Sequence, residues 1–582
     1  MRTSPDMCAG RLMGTAELSR VNRVPGEVES TGLLADVPLF AGLTAAVRAG
    51  IEGRADVVDL AGGDTLFEAG APSDGLYVVC TGRLEVIRAG AVVREVGRGG
   101  FVGELSLLTG AARAATVRAR RDSRLLHLSP AQFDALVTAE PSVLRQVAAT
   151  LAGWVADGGD PASSGRAGRT ATLVAVVGSG RGAPVDAVAA ALVVELAEHL
   201  TVVTPGRVTP AELERAELGA DRVVLSAGPE DGLWHEFCLR QADRVVLVGD
   251  ARHPPPAVDA LTGADLVLVG SPPGRERLVR WVGAIEPRRT YQLDPDPAGW
   301  GHALAPLARR IAGRSVGLVL AGGGARAFCH LGVIEAFEAA GIEIDRVAGT
   351  SLGAIVGAAY AAGLGVPEMY QTFVAEFVRR RPLGDYTVPR VSLSRGRRAL
   401  DALVRVYGEM VIEELPREFA CISVDLYRRE AVTHRRGRLV DAVRASMSLP
   451  VVLPPYWIGD RLHVDGALLD NLPVSCLAAA GEGPIVAVNI TSGGGGSDPS
   501  RMPALAETLQ RSILMAAAPA AAAAEADADL VIRPDVRRVG LLDFHRLDHM
   551  REAGRVAARA ALEAYDGRPH RALPTTGTSA RQ

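Results

Sequence analysis

The chain has no long apolar run, no cysteine framework and no excess of either charge, and each absence removes a class of protein. No uninterrupted apolar run reaches the roughly 20 residues that a bilayer-spanning helix requires. The alanine tract Ala516–Ala524 is short, weakly hydrophobic and broken by Pro519, so a chain that does not cross a membrane is expected. The first residues, MRTSPDMCAGRLMGTAELSR, hold no apolar core of the kind a signal peptide carries. The six cysteines (Cys8, Cys80, Cys238, Cys329, Cys421, Cys476) are scattered without metal-ligand or disulfide spacing, which argues for a reducing, cytoplasmic setting and against a metal site. A formal net charge of -4 supplies no global cation field for nucleic acid.

What is present describes a large multidomain protein. A length of 582 residues exceeds what one hydrophobic core supports, and three domains are expected. Residues 1–33 are polar and aperiodic and read as a flexible tail. Residues 34–157 alternate short strands with glycine turns and close with a helical segment, the rhythm of an antiparallel β-roll with helices. A linker rich in Gly and Ser spans 158–170. From 171 to 313 the grammar changes to continuous apolar strands, TLVAVVG, DRVVLSA, DRVVLVG and DLVLVG, which indicates an α/β middle domain. A second α/β domain covers 314–565, and 566–582 reads as a flexible tail.

In the first domain, FVGELSLLTGAARAATV places Gly103 and Glu104 in a turn between strands, with Arg113 following. A turn offering N–H groups, a carboxylate and a guanidinium suits a ribose and a phosphate; a surface Glu–Arg pair is the plainer alternative. With DGLYVV, TGRLEV, GELSLL and RAATV in order, the region resembles a cyclic-nucleotide-binding domain of the catabolite-activator and protein-kinase-regulatory type. The resemblance implies that Glu104 receives the ribose 2′-hydroxyl, that Gly103 belongs to the phosphate cassette and that Arg113 clamps the cyclic phosphate of cAMP or cGMP. Family members usually follow that Arg with Ser or Thr, and Ala114 stands here. Loss of one charge-assisted donor costs about 1.5–3 kcal/mol, more than tenfold in affinity.

The middle domain opens with VAVVGSGRGAPVDAV, a strand followed by a glycine loop. Read from Gly178, Ala183, Pro184 and Val185 occupy the places of the Gly, Lys and Ser/Thr of a phosphate-binding loop, which excludes ATP hydrolysis. Asp221 and Asp243, each before an apolar strand, read as turn or cap residues. The role of this domain, connecting or dimerising, stays open, and so does a homodimer.

The last domain opens with LVLAGGGARAFCHLG, three glycines between an apolar strand and a helix. About twenty residues on, GTSLG in DRVAGTSLGAIVGAAYAAGLG fits the nucleophile pattern Gly-x-Ser-x-Gly between a strand and a helix, with Ser351 at its centre. Given a serine nucleophile, Gly322, Gly323 and Gly324 can aim N–H groups at the oxygen of a tetrahedral intermediate. A dinucleotide loop fits poorly: GGGARA lacks the third glycine, and Glu343 and Asp345 precede the elbow strand and read as solvated turn residues. For a base, Asp465 stands in YWIGDRLHVDGALLDNLPV at an Asp-Gly turn; a histidine base would be His330 or His463.

GGG, GTSLG and DGA together resemble patatin-like phospholipases, in which a Ser–Asp dyad replaces the triad. Over roughly 34–560, including LWHEFCLRQADRVVLVG, the chain is most similar to their neuropathy-target-esterase branch. The resemblance implies a patatin-like hydrolase domain with Ser351 as nucleophile, Asp465 as its base and Gly322, Gly323 and Gly324 as the oxyanion hole. Arg326 supports that loop, and catalysis needs no cofactor. Ala327 departs from the usual Gly and costs roughly 1 kcal/mol or more if a left-handed conformation is required there. The substrate implied is a lysophospholipid, a phospholipid or another carboxylic ester, met by peripheral contact at the inner face of the plasma membrane. Arg444–Gly459 (RASMSLPVVLPPYWIG) offers an apolar wall for an acyl chain, and the basic runs VRRRP, SRGRR and HRRGR could approach anionic lipid. A non-catalytic scaffold that senses a cyclic nucleotide is the alternative from another class.

Overall fold

A computed structural model describes residues 22–24, 40, 43–148, 172–490 and 502–565, apart from 54, 89–90, 146, 181, 256–260, 262, 272–273, 479–480, 503–504 and 537–538. The linker 158–170 and the tail 566–582 lie outside the described residues, as does most of 1–33. The described part of that first stretch is a strand, β1 (Asn22–Val24), rather than tail. The chain divides into two compact units, 1–190 with 201–287, and 191–200 with 288–582.

The first unit begins with an antiparallel sheet: β1, β2 (Asp56–Leu60), β3 (Thr65–Phe67), β4 (Leu76–Arg88), β5 (Ala91–Gly97), β6 (Phe101–Val102) and β7 (Thr116–Leu128). Its order is β1-β2-β7-β4-β5, with β3 on β7 and β6 on β4. Alternation within the strands sends Leu76, Val78, Cys80 and Leu126 into one apolar cluster and Tyr77, Val79, Leu84 and Leu125 into another, so the sheet folds over side chains on both faces. The segment expected as a turn at Gly103 and Glu104 is instead the start of a helix, α1 (Glu104–Thr109), with Gly103 as its N-cap.

The parallel strands β8 (Thr172–Gly178), β9 (Val202–Val203), β10 (Arg222–Ala227), β11 (Arg244–Asp250) and β12 (Asp265–Val269) follow in the order β12-β11-β8-β10-β9. The Asp243 carboxylate accepts the Leu173 N–H at 2.9 Å and that of Asp221 the Thr201 N–H at 3.0 Å, which makes both turn-fixing residues. No cluster of three or more His, Cys, Asp or Glu able to hold a metal occurs among the described residues.

The second unit carries β13 (Thr290–Leu293), β14 (Val316–Leu320), α2 (Cys329–Ala339), β15 (Ile344–Thr350), α3 (Leu352–Ala361), β16 (Glu418–Asp425), β17 (Glu430–His434), α4 (Leu439–Ser446), β18 (Tyr456–Ile458), β19 (Arg461–Asp465), β20 (Ile485–Val488) and β21 (Leu530–Ile532). The sheet order is β18-β19-β16-β15-β14-β20-β21, with β17 on β16. Strands β14, β15, β16, β20 and β21 run parallel; β19 and β17 lie antiparallel to β16. The central strands read VGLVL and IVAV because both faces are covered, which leaves no polar face to encode. Asp345 is no solvated turn residue: it lies buried in β15, where Arg309 donates to both its carboxylate oxygens at 2.6–3.2 Å, while exposed Glu343 pairs with the same guanidinium at 2.6 Å. Among the described residues no helix is long and apolar enough to cross a membrane; Ala516–Ala524 falls within the helix Leu505–Ala526.

Candidate active site

Backbone crowding explains the glycines around Ser351. Strand β15 ends at Thr350 and α3 begins at Leu352, leaving Ser351 alone to reverse the chain, at φ 56° and ψ −124°. A Cβ on Gly353 would lie 2.3 Å from the Leu320 carbonyl oxygen, and one on Gly349 2.7 Å from the Gly353 carbonyl. Only glycine permits β14, β15 and α3 to meet this closely. The strained turn presents the Ser351 hydroxyl at the carboxyl edge of the sheet, at a helix N-terminus that favours negative charge.

The Asp465 carboxylate reaches the same point from β19. Its Oδ2 accepts the Ser351 hydroxyl at 2.7 Å and its Oδ1 accepts the Ala467 N–H at 2.9 Å. Its own N–H donates to the Ser448 carbonyl at 3.0 Å. Gly466 must follow, because a Cβ there would lie 2.4 Å from the Ile422 carbonyl oxygen on β16. Burial pushes the Asp465 carboxyl up to about 7, against the opposing pull of the Ala467 N–H and the Ser351 hydroxyl.

Gly322, Gly323 and Gly324 form the bend after β14. Gly322 packs on the elbow: a Cβ there would sit 3.0 Å from the Ser351 Cβ and 2.7 Å from Asn471 Oδ1. Gly324 has φ 57°, and its Cβ would meet the Leu541 carbonyl oxygen at 2.3 Å. The Gly323 and Gly324 N–H groups donate to no carbonyl among the described residues. Arg326 Nε donates to the Val539 carbonyl at 2.7 Å, and the Ala325 N–H to that of Leu541 at 2.8 Å, so this guanidinium helps pin the bend to the chain at 539–541. Ala327 does not have a positive φ and lies buried in the helical turn 324–328, where its methyl group meets no conformational penalty.

Neither histidine serves this serine. His330 is fully buried with Nε2 2.9 Å from the Ala321 carbonyl, and burial pushes its imidazole down to about 4. His463 places Nδ1 2.8 Å from Ser423 Oγ.

Three further residues hold the site. The Ser351 N–H donates to Ser446 Oγ at 2.9 Å, Ser448 holds the Asp465 backbone, and Asn471 Nδ2 donates to the Gly322 carbonyl at 3.2 Å. Their sequence signal is a polar residue inside a buried apolar run, RASMSLP and LLDNLPV, and it is weak beside the glycine motifs. The stretch Arg444–Gly459 is the end of α4, an irregular turn and the edge strand β18.

In the first unit, Gly103 has φ 92°, and a Cβ there would lie 2.3 Å from an Arg113 terminal nitrogen. The Arg113 guanidinium is buried and donates to Gly103 O, Gly75 O, Ser106 Oγ and Asp74 Oδ1 at 2.5–3.2 Å. Glu104 is buried too, so these two residues are not a surface pair. Its Oε2 lacks a hydrogen-bond partner among the described residues, and burial raises its carboxyl, opposed by Arg94 and Arg113. Ala114 is exposed and offers no hydroxyl.

Comparison with known proteins gives these sites a context. The patatin-like phospholipase family matches residues 318–477, which include Ser351 and Asp465, and the cyclic nucleotide-binding domain family matches 57–140. An uncharacterised NTE family protein of Mycobacterium tuberculosis is 35% identical over 551 residues, covering 86% of this chain and 90% of its own. The lysophospholipase nte1 of Aspergillus niger is 28% identical, covering 75% of this chain but only 35% of the fungal protein. Among solved structures, the catabolite activator protein of Thermus thermophilus is 28% identical, covers 21% of this chain and 59% of that one, and has a TM-score of 0.20. With a patatin-like phospholipase domain, a cyclic nucleotide-binding domain and a relative matched nearly end to end, the chain belongs to the NTE family.

Proposed function

We propose that this protein is a serine ester hydrolase of lysophospholipase or phospholipase type, acting through Ser351 and Asp465 and regulated by a cyclic nucleotide. The observation that carries the reading is the 2.7 Å hydrogen bond between the Ser351 hydroxyl and the buried Asp465 carboxylate, made at a strained elbow. In this reading 34–157 is the sensor, 171–313 the middle domain and 314–565 the catalytic domain, working in the cytoplasm against the inner face of the plasma membrane.

Ser351 Oγ attacks the acyl carbonyl while its proton passes to Asp465 Oδ2. Negative charge gathers on the former carbonyl oxygen, where the N–H groups of Gly323 and Gly324 and the α3 N-terminus stabilise it, the Gly322 N–H being engaged by the Asn471 carbonyl at 3.4 Å. Collapse breaks the ester bond, and the alkoxide leaves with the proton held by Asp465. Water then attacks the acyl-enzyme, Asp465 taking its proton and returning it to Ser351 Oγ as the fatty acid departs. A base near 7 is matched to this exchange, because it is partly ionised at neutral pH and still basic enough to accept the serine proton.

For the sensor, the unpartnered buried oxygen of Glu104 suits a ribose hydroxyl. A cyclic phosphate would take the place of the Asp74 carboxylate at Arg113. The experiment is a screen of lysophospholipid and phospholipid hydrolysis by the wild type and Ser351→Ala, with and without cAMP or cGMP. Fatty-acid release that disappears with the serine supports the hydrolase. A wild type that a fluorophosphonate leaves unlabelled at Ser351 points instead to a non-catalytic scaffold.

A further inference from the structure

Apolar side chains stand exposed beside the edge of the catalytic sheet where Ser351 lies. Thr350 pairs with Ile422, so Leu426 and Tyr427, which follow β16, project beyond that edge, and both are exposed. The edge strand β18 pairs with β19, the strand that ends in Asp465, and its Trp457 is 57% exposed. A hairpin at 385–395 is bonded to residues 451–452, on the segment that leads into β18. Its arms are held by the Thr387 N–H to the Leu393 carbonyl at 3.0 Å and the Arg395 N–H to the Asp385 carbonyl at 2.9 Å.

This hairpin is tied to the chain that positions the dyad. The Leu393 N–H donates to the Val451 carbonyl at 2.7 Å and the Ser394 N–H to that of Val452 at 3.1 Å, a few residues beyond Ser448, whose carbonyl holds Asp465. Yet its tip is bare: Tyr386, Val388 and Val391 are 75%, 74% and 69% exposed. Scattered apolar exposure is ordinary, but a cluster on one projecting loop marks a surface that something covers.

Charge identifies the cover. Arg379–Arg398 contains seven arginines and one acid, Asp385, in a chain whose net charge is -4. Asp385 is already engaged by the Ser394 hydroxyl and by the Arg397 and Arg398 N–H groups. Arg390, Arg395 and Arg397 make no ion pair among the described residues. We infer that the 385–395 hairpin and Trp457 form a docking face for an anionic lipid surface. Apolar tips enter the acyl boundary, aromatic rings rest at headgroup depth and arginines meet lipid phosphates. The inference rests on the lipid-hydrolase reading for its purpose, since docking there would bring the bilayer to the edge that carries Ser351.

The test uses the full chain and cosedimentation with vesicles of phosphatidylcholine mixed with phosphatidylglycerol, against phosphatidylcholine alone. The wild type sediments with the anionic vesicles and is released by high salt. Two double variants, Val388→Asp with Val391→Asp and Arg390→Glu with Arg395→Glu, each weaken binding roughly tenfold or more. Both keep wild-type rates on a water-soluble short-chain p-nitrophenyl ester and lose rate on lipid in vesicles. A wild type that ignores anionic vesicles, or double variants that bind as it does, overturns the docking face. Soluble-ester hydrolysis without vesicle binding removes the docking face and leaves the hydrolase standing. Vesicle binding that depends on these residues in a protein cleaving no ester removes the hydrolase and leaves the docking face.

Discussion

The Ser351 hydroxyl stands 2.7 Å from a carboxylate oxygen of Asp465, a residue 114 positions further along the chain. The aspartate is buried, and its second oxygen is held by the Ala467 N–H, so one oxygen is left for the serine. Burial of a carboxylate without a cation raises its proton affinity, to about 7 here. In its ionised form it is a base. We therefore predict that kcat/KM rises with pH, about tenfold per unit below neutrality, and levels above it. A rate independent of pH across roughly 5 to 9 contradicts this.

The same shift affects stability. A folded-state pKa above the unfolded value of 3.8 means that between these values the folded chain holds a proton the unfolded chain has released. Stability then falls as pH rises through this window, and the loss is complete above about 7. Asp465→Asn, which cannot ionise, is predicted to melt higher than wild type at alkaline pH, with the difference shrinking under acid conditions. Thermal melts at two pH values check the sign.

Ser446 is predicted to act as a positioning residue. Ser446→Ala leaves the Ser351 N–H without its acceptor at 2.9 Å. The loss is about 1–3 kcal/mol at a strained turn whose geometry sets the direction of attack. The expected result is a fall in kcat of about tenfold to a hundredfold with KM little changed. Equal kcat in the variant removes the role.

The glycines differ in kind. Gly353→Ala and Gly466→Ala each drive a Cβ to within 2.3–2.4 Å of a carbonyl oxygen on a neighbouring strand, and each is predicted to cost about 2–3 kcal/mol or more. Gly283, inside the helix Arg275–Ile285, has open space around it, and Gly283→Ala is expected to stabilise by up to about 1 kcal/mol. Denaturant titrations of the three variants separate the two classes.

Asp74 is predicted to compete with nucleotide. Its carboxylate meets Arg113 at 2.5 Å and accepts the Tyr77 hydroxyl at 2.6 Å, occupying the guanidinium that a cyclic phosphate would use. Asp74→Ala is expected to tighten cAMP or cGMP binding by roughly tenfold, and Glu104→Ala to abolish it, by calorimetric titration. Unchanged affinity in both variants removes the proposed ligand contacts.

What is legible in the sequence follows from which residues tolerate no substitute. Gly349, Gly353 and Gly466 announce themselves because close backbone approach excludes a Cβ, and short strands broken by glycine turns, as in LYVVCTGRLEV, mark the antiparallel roll. Ser446 and Asn471 stay hidden because a single buried polar residue has no periodicity to betray it. Asp345 misleads for a related reason. An acid beside GIEI reads as turn, and only its Arg309 partner, 36 residues earlier, makes it a buried strand residue. The helix start at Gly103 is equally invisible, since the left-handed conformation that glycine permits suits a turn and an N-cap alike.

The most direct measurement is fatty-acid release from lysophospholipid by Asp465→Asn beside the wild type at neutral pH. The side chain keeps its shape and its bond to the Ala467 N–H but can no longer accept a proton. A loss of at least about a thousandfold in kcat is expected, with the variant still folded. Release at the wild-type rate contradicts it.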